Sequence, residues 1–219
     1  MMRLIIIILI IGLLIGLISA NPDQAQAVSK AHFEFSLDLY RTLINSEDRK
    51  NIVVSPYNLN LVLSMLFLGT TSSSNSSKQL RSMMHFDGLS YVTIHNQFKK
   101  IVANFDGNYY QTKMNMARGL YVASNITVAP PYDRALREFY HSKVEHVEFG
   151  NADHSQTRGL INEYVEEVTG FRDILEDVPN ADTRLLVVDA MTLATRWLHS
   201  FEKSATFNKG LFFTPDNQR

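Results

Sequence analysis

An α+β fold is predicted by three features of the sequence. Through the first half apolar residues recur at steps of three and four; between Met114 and Val122 the period changes to two; and Leu185 to Ala194 is a nearly continuous Val/Leu-rich run. Helices therefore come first, followed by helices and strands mixed. With 219 residues, 45% hydrophobic, 20% charged and a net charge of −1, the composition is that of a globular chain. A disordered chain would carry fewer aliphatics and more net charge. At about 150 residues per domain the length allows one or two domains. The balanced charge gives no reason to expect nucleic acid as a partner, which would call for surplus Lys and Arg.

Met1-Met2-Arg3 is a small positive n-region, and Leu4 to Ile18 is an apolar run of Leu, Ile and Gly ending at the small pair Ser19-Ala20. This pattern is that of a secretory signal cut after Ala20. The alternative, a membrane anchor, needs about 20 apolar residues to span the hydrocarbon core, more than this run supplies. Residues 21–219 are then secreted and extracellular, with no membrane association after cleavage. There is no cysteine, which excludes thiolate metal sites, redox motifs and cysteine nucleophiles, and implies a fold large enough to rely on its core. Two sequons, Asn75-Ser76-Ser77 and Asn125-Ile126-Thr127, are candidate N-glycosylation sites. Asn75 is the stronger, because Thr70 to Ser77 has loop composition.

The first helix carries two stripes, Val28, Ala31, Phe35, Leu39 and Leu43, and Phe33, Leu37, Tyr40 and Ile44, and is expected to be largely enclosed. After the polar loop 45–50, Ser55-Pro56 fits an N-cap and first helical position, opening a buried helix to about Leu68 that Gly69 ends. Tyr91, Ile94, Phe98, Ile101, Val102 and Phe105 mark an amphipathic helix. Met114, Met116, Leu120 and Val122 share one side of a strand interrupted by Arg118. Pro130-Pro131 opens a helix through Tyr140, Val147 and Phe149 alternate in a short strand, and Ile161, Tyr164, Val165 and Val168 mark a further helix. Leu185 to Ala194, β-branched and apolar, is expected to be a central strand covered on both faces.

The segments Asn51-Ile52-Val53-Val54-Ser55-Pro56, Ile161-Asn162-Glu163-Tyr164-Val165 with Thr169, and Thr183-Arg184-Leu185 through Ala190 to Trp197 and Phe201 resemble the serpin family, the serine protease inhibitors, in order and spacing. Phe35-Ser36-Leu37-Asp38-Leu39-Tyr40 resembles that family's first helix, and Thr206 with Phe212 the stretch after its tryptophan. The resemblance runs from about Ala27 to Arg219. It implies a serpin-like α+β fold of N-terminal helices plus part of the main β-sheet, incomplete at the C-terminus, with residues 21–219 the N-terminal part of a single domain. A complete serpin is nearly twice as long and carries a reactive-centre loop that a protease cleaves and that then inserts as a new strand into the main sheet. No residue of that loop is expected in this chain. The strand at Leu185–Ala194 would then have an open edge, whether the sequence is a gene fragment or a shortened isoform.

Ser55 matches a serine that helps hold the main sheet closed, in the region called the shutter. Asn58 stands where members typically have a second serine and Asp189 where they typically have asparagine. Two expectations follow: Asn58 donates to the Asp189 carboxylate and keeps the cluster satisfied, or the shutter is impaired and the sheet less stable. A carboxylate there is costly unless paired and tends to hold its proton. Trp197 matches the aromatic packed at the top of the sheet, the breach. Tyr164 replaces a tryptophan, and Asp173-Ile174 place the expected isoleucine one residue late.

No enzyme is expected. Asp153-His154-Ser155 holds the residue types of a triad, but adjacent side chains cannot converge on one nucleophile, and no G-x-S-x-G elbow exists. His141 and His146 are read as facing different sides of a helix, so no metal site is expected. Glu163 and Glu167 are read as a solvated i, i+4 pair. No cofactor is expected. The basic residues Lys78, Arg81, Lys99 and Lys100 are too few for a strong polyanion site, so a glycosaminoglycan partner is not expected. The expected function is a secreted serpin-type inhibitor represented by its N-terminal half, acting on an extracellular serine protease once completed. The alternative is a secreted, non-inhibitory relative with a binding or structural role.

Overall fold

A computed structural model of the chain describes residues 22–45, 52–105, 112–149, 155–177, 180–207 and 210. The leader, Asn51, the Asp153-His154 pair, Phe212 and the last residues lie outside the described residues. No described helix is long and apolar enough to cross a membrane.

Helix α1 (Pro22–Ile44) buries one stripe, Val28, Ala31 and Phe35, with His32 and Ser36 beside it. The second stripe is not enclosed: Phe33, Leu37 and Tyr40 are half-buried and Ile44 is exposed, because α1 packs on its neighbours from one side only. Helix α2 (Pro56–Leu68) is the central helix. Ser55, in extended backbone, caps it by accepting from the Asn58 amide at 3.3 Å, and Pro56 fills the first turn, where its missing N–H costs nothing. Gly69 ends it, but with a right-handed φ of −83°. The glycine instead leaves room for a close neighbour: a Cβ there would lie 3.1 Å from the Tyr132 ring, whose hydroxyl donates to Met65 O at 3.0 Å.

The Ser/Thr-rich stretch does not remain a loop to Ser77. Ser74 accepts from Ser77 N at 3.1 Å and starts helix α3 (Asn75–Met83). Helix α4 (Tyr91–Phe105) turns Ile94, Phe98, Ile101 and Val102 inward.

Strand β1 (Lys113–Ala123) is the middle of a three-stranded sheet of order β2-β1-β3. Helix α5 (Pro130–Tyr140) returns the chain to β2 (Val144–Val147), parallel to β1, as a crossover requires. Beyond β2, Phe149 is buried without belonging to the strand. Helix α6 (Ser155–Thr169) precedes β3 (Leu185–Ala194), antiparallel to β1. Met116, Leu120 and Val122 pack into the core made by the first five helices, while Ala117, Tyr121 and Val188 face Ile161 and Val165 of α6. The sheet is thus covered on both sides, as the period-two pattern of β1 demands. β3 occupies the expected place but is not a fully buried central strand: only Val188 is buried, and among the described residues β1 is its one neighbour.

Candidate functional site

A line of polar contacts ties α2 to β3. Ser55 Oγ donates to Asn58 Oδ1 at 3.3 Å, and Asn58 Nδ2 donates to Asp189 Oδ1 at 3.0 Å. Both links have local causes. The cap places Ser55 and Asn58 one turn apart at the helix start, and the alternation of β3 turns Asp189 to the face on which α2 lies. The Asn58–Asp189 bond joins residues far apart in sequence and satisfies one carboxylate oxygen. The other, Oδ2, is buried and has no hydrogen-bond partner among the described residues. Burial pushes the Asp189 carboxyl up to about 7, against the pull of the Arg118 guanidinium. The bond expected from the sequence is therefore present, and the cost of burial still exceeds it.

Arg118, the residue that interrupts the apolar side of β1, belongs to this site. It stands directly opposite Asp189 in the β1–β3 register, the one pair of charged residues among ten. Its guanidinium is buried and donates from Nη1 to Tyr140 O, at the C-terminal end of α5, at 2.8 Å. Its backbone is held from the other face: Arg118 N donates to Tyr164 Oη at 3.2 Å, and Tyr164 Oη donates to Arg118 O at 3.1 Å. Tyr164, standing where the resemblance expects tryptophan, thus closes backbone groups next to the point where β2 pairing begins at Leu120. The available signal was two opposite charges, each in the middle of a mostly apolar strand. Chemically the site is a junction and not a catalytic centre, since the Ser55 hydroxyl is given to an amide oxygen, which is no general base.

The remaining candidates lie apart from it. Trp197 is beyond β3 and 65% exposed, with the Phe201 ring edge-on at 5.8 Å. Asn75 is exposed in the first turn of α3, whereas Asn125 lies in an exposed turn between β1 and α5, so the loop argument that favoured Asn75 applies to Asn125. Arg81 is committed inward, donating to Phe86 O at 2.8 Å and Leu89 O at 2.7 Å, and Lys99 pairs with Glu138 at 2.8 Å. His141 caps α5 with a left-handed φ of 49° and His146 lies in β2, so the two do not share a helix as expected. Among the described residues no cluster of three His, Asp or Glu side chains could hold a metal. Glu163 and Glu167 line a surface groove of about 480 Å³ with Leu160 and Tyr164. After α6, Gly170 and Asp173 both take positive φ, and Asn162 pins the loop by bonding Leu175 N and O at 3.0 Å each.

The family model described as "Serpin (serine protease inhibitor)" matches residues 30–219. The chain is 27% identical to Serpin B3 of Homo sapiens, over 82% of this chain and 50% of that protein. It is 27% identical to the leukocyte elastase inhibitor of Sus scrofa, over 83% and 47%. The solved structure of ovalbumin from the emu, Dromaius novaehollandiae, superposes with a TM-score of 0.76 at 26% identity, over 87% of this chain and 52% of that one. The chain spans about half the length of the curated relatives it matches.

Proposed function

Because this chain belongs to the serpin family, whose members are generally protease inhibitors and not enzymes, we propose that it is the N-terminal part of a secreted inhibitor of an extracellular serine protease. A second half carrying the reactive-centre loop completes it. One observation carries this reading: β3 is laddered to β1 on one side and has no strand partner on the other among the described residues. An edge of unpaired amides beside a half-buried apolar strand is a template for one more strand. In this reading the cut loop supplies that strand, and the Ser55-Asn58-Asp189 line, with Arg118, holds α2 to β3 until it does. The experiment is to incubate the full-length protein with extracellular serine proteases and run the products in hot detergent. A covalent complex is expected, and cleavage of the inhibitor without a complex would refute inhibition.

The second reading, a secreted non-inhibitory relative with a binding or structural role, is favoured by the charges at Arg118 and Asp189, which place a costly carboxylate in the junction that holds α2 to β3. The ovalbumin fold neighbour is compatible with it. The same gel decides between the two.

A further inference from the structure

The Arg118–Asp189 pair joins parts of the molecule that must separate if β3 is to move. Arg118 is anchored to the helices on either face of the sheet, through Tyr140 O on α5 and Tyr164 Oη on α6. Asp189 is anchored to α2 through Asn58 alone, and its second oxygen is enclosed without a partner among the described residues. Among the described residues β3 itself has a strand neighbour on one side only. An ionised carboxylate so placed is half-satisfied, and the available relief is for β3 to shift until water reaches Oδ2. A protonated carboxyl has no such demand.

We propose that Asp189 is a proton-operated catch on β3: protonated, it lets the strand lie closed beneath α2, and ionised, it loosens β3 from α2 and β1. The groups facing it are few. α2 presents Ser55 and Asn58, which do not titrate, while Tyr57 turns away to His32 and Phe105. β1 presents Arg118. α6, on the other face of the sheet, reaches Arg118's backbone through Tyr164, and its Glu163 and Glu167 line the outer groove. Burial, which raises the Asp189 carboxyl to about 7, puts the transition within the range met by an extracellular protein. The sign follows: a folded value above the ordinary 3.8 means that the closed strand is favoured in acid and progressively less so as pH rises towards 7, with no further change above it. The catch concerns the same junction as the proposed inhibitory sheet, but it is read from the strand, so its failure leaves the protease assay untouched and the reverse also holds.

The test is hydrogen exchange of the full chain at pH 5 and pH 7, corrected for intrinsic rates, with Asp189→Asn beside the wild type. Opening of Leu185–Ala194 is expected to rise by about fiftyfold in the wild type, about tenfold per pH unit at first and flattening as pH 7 is reached, and to stay level in the variant. Equal pH dependence in the two proteins would overturn the proposal, and so would a wild-type rise spread equally over α4 and β3. Should Asp189→Asn not fold, Asn58→Ser serves, since loss of the amide donor moves the midpoint of β3 loosening to higher pH. An unmoved midpoint would count against the catch.

Discussion

His95 offers the sharpest stability test of the helical core. It is 1% exposed and packed among the rings of Phe67, Tyr91, Phe139 and Tyr140, with Nδ1 2.5 Å from Tyr140 Oη. Desolvation, helped by the Arg81 charge, lowers its pKa from 6.5 to about 3. The unfolded chain therefore takes up a proton below pH 6.5 that the folded chain refuses. Stability is fully present above pH 6.5 and is lost as pH falls towards 3, at about 1.4 kcal/mol per unit, or about 2 kcal/mol between pH 6.5 and 5. His95→Phe removes this liability, but at neutral pH it loses the bond to the buried Tyr140 hydroxyl, at a cost of about 1–3 kcal/mol. Urea unfolding of the full chain at pH 7.5 and pH 5.0 should show the variant less stable at pH 7.5 by that amount, with the gap narrowed by about 2 kcal/mol at pH 5.0. His32, lowered by burial to about 4, titrates in both proteins and cancels in the difference. A gap of the same size at both pH values would refute the reasoning.

Further expectations concern local packing, processing and partners. Gly119→Ala would place a Cβ 2.7 Å from Cε2 of the buried Tyr121 ring, so thermal unfolding should show a loss of about 1–3 kcal/mol. Ser55→Ala removes the cap of α2 and the donor to Asn58, costing about 1 kcal/mol in the same assay. N-terminal sequencing of the secreted product should begin at Asn21, and glycosidase treatment should lower the mass of the wild type but not of an Asn75→Gln/Asn125→Gln variant. With Arg81 bonded to backbone carbonyls and Lys99 paired at the surface with Glu138, the protein should pass through a heparin column at physiological salt.

The parts of the fold legible in the sequence were those set by local rules. α2 begins and ends where Ser55-Pro56 and Gly69 place it, since cap and proline act within one turn. β1 was legible from its alternation, because one face meets α2 and the other α6. The start of α3 was not legible, although Lys78 and Arg81 were read as helical, because the helix is short, polar and barely buried and its beginning is marked only by the Ser74 cap within a turn-like composition. The second stripe of α1 misled for the opposite reason: periodicity reports an apolar face but not whether a neighbour covers it. At the candidate site, Ser55, Asn58 and Asp189 came from the resemblance, while Arg118 was passed over. Its partners, Tyr140 O, Tyr164 Oη and Asp189, are brought to it by tertiary packing and strand register, which no window around residue 118 contains.

The central claim is that the open edge of β3 receives a strand, and the most direct measurement is the melting temperature of the full-length protein before and after one proteolytic cut in the proposed loop. Insertion adds a hydrogen-bonded strand to β3 and covers its apolar edge, so the account predicts that the cut protein melts well above the intact one. A cut protein that melts at the same temperature as the intact one, or below it, would contradict the claim.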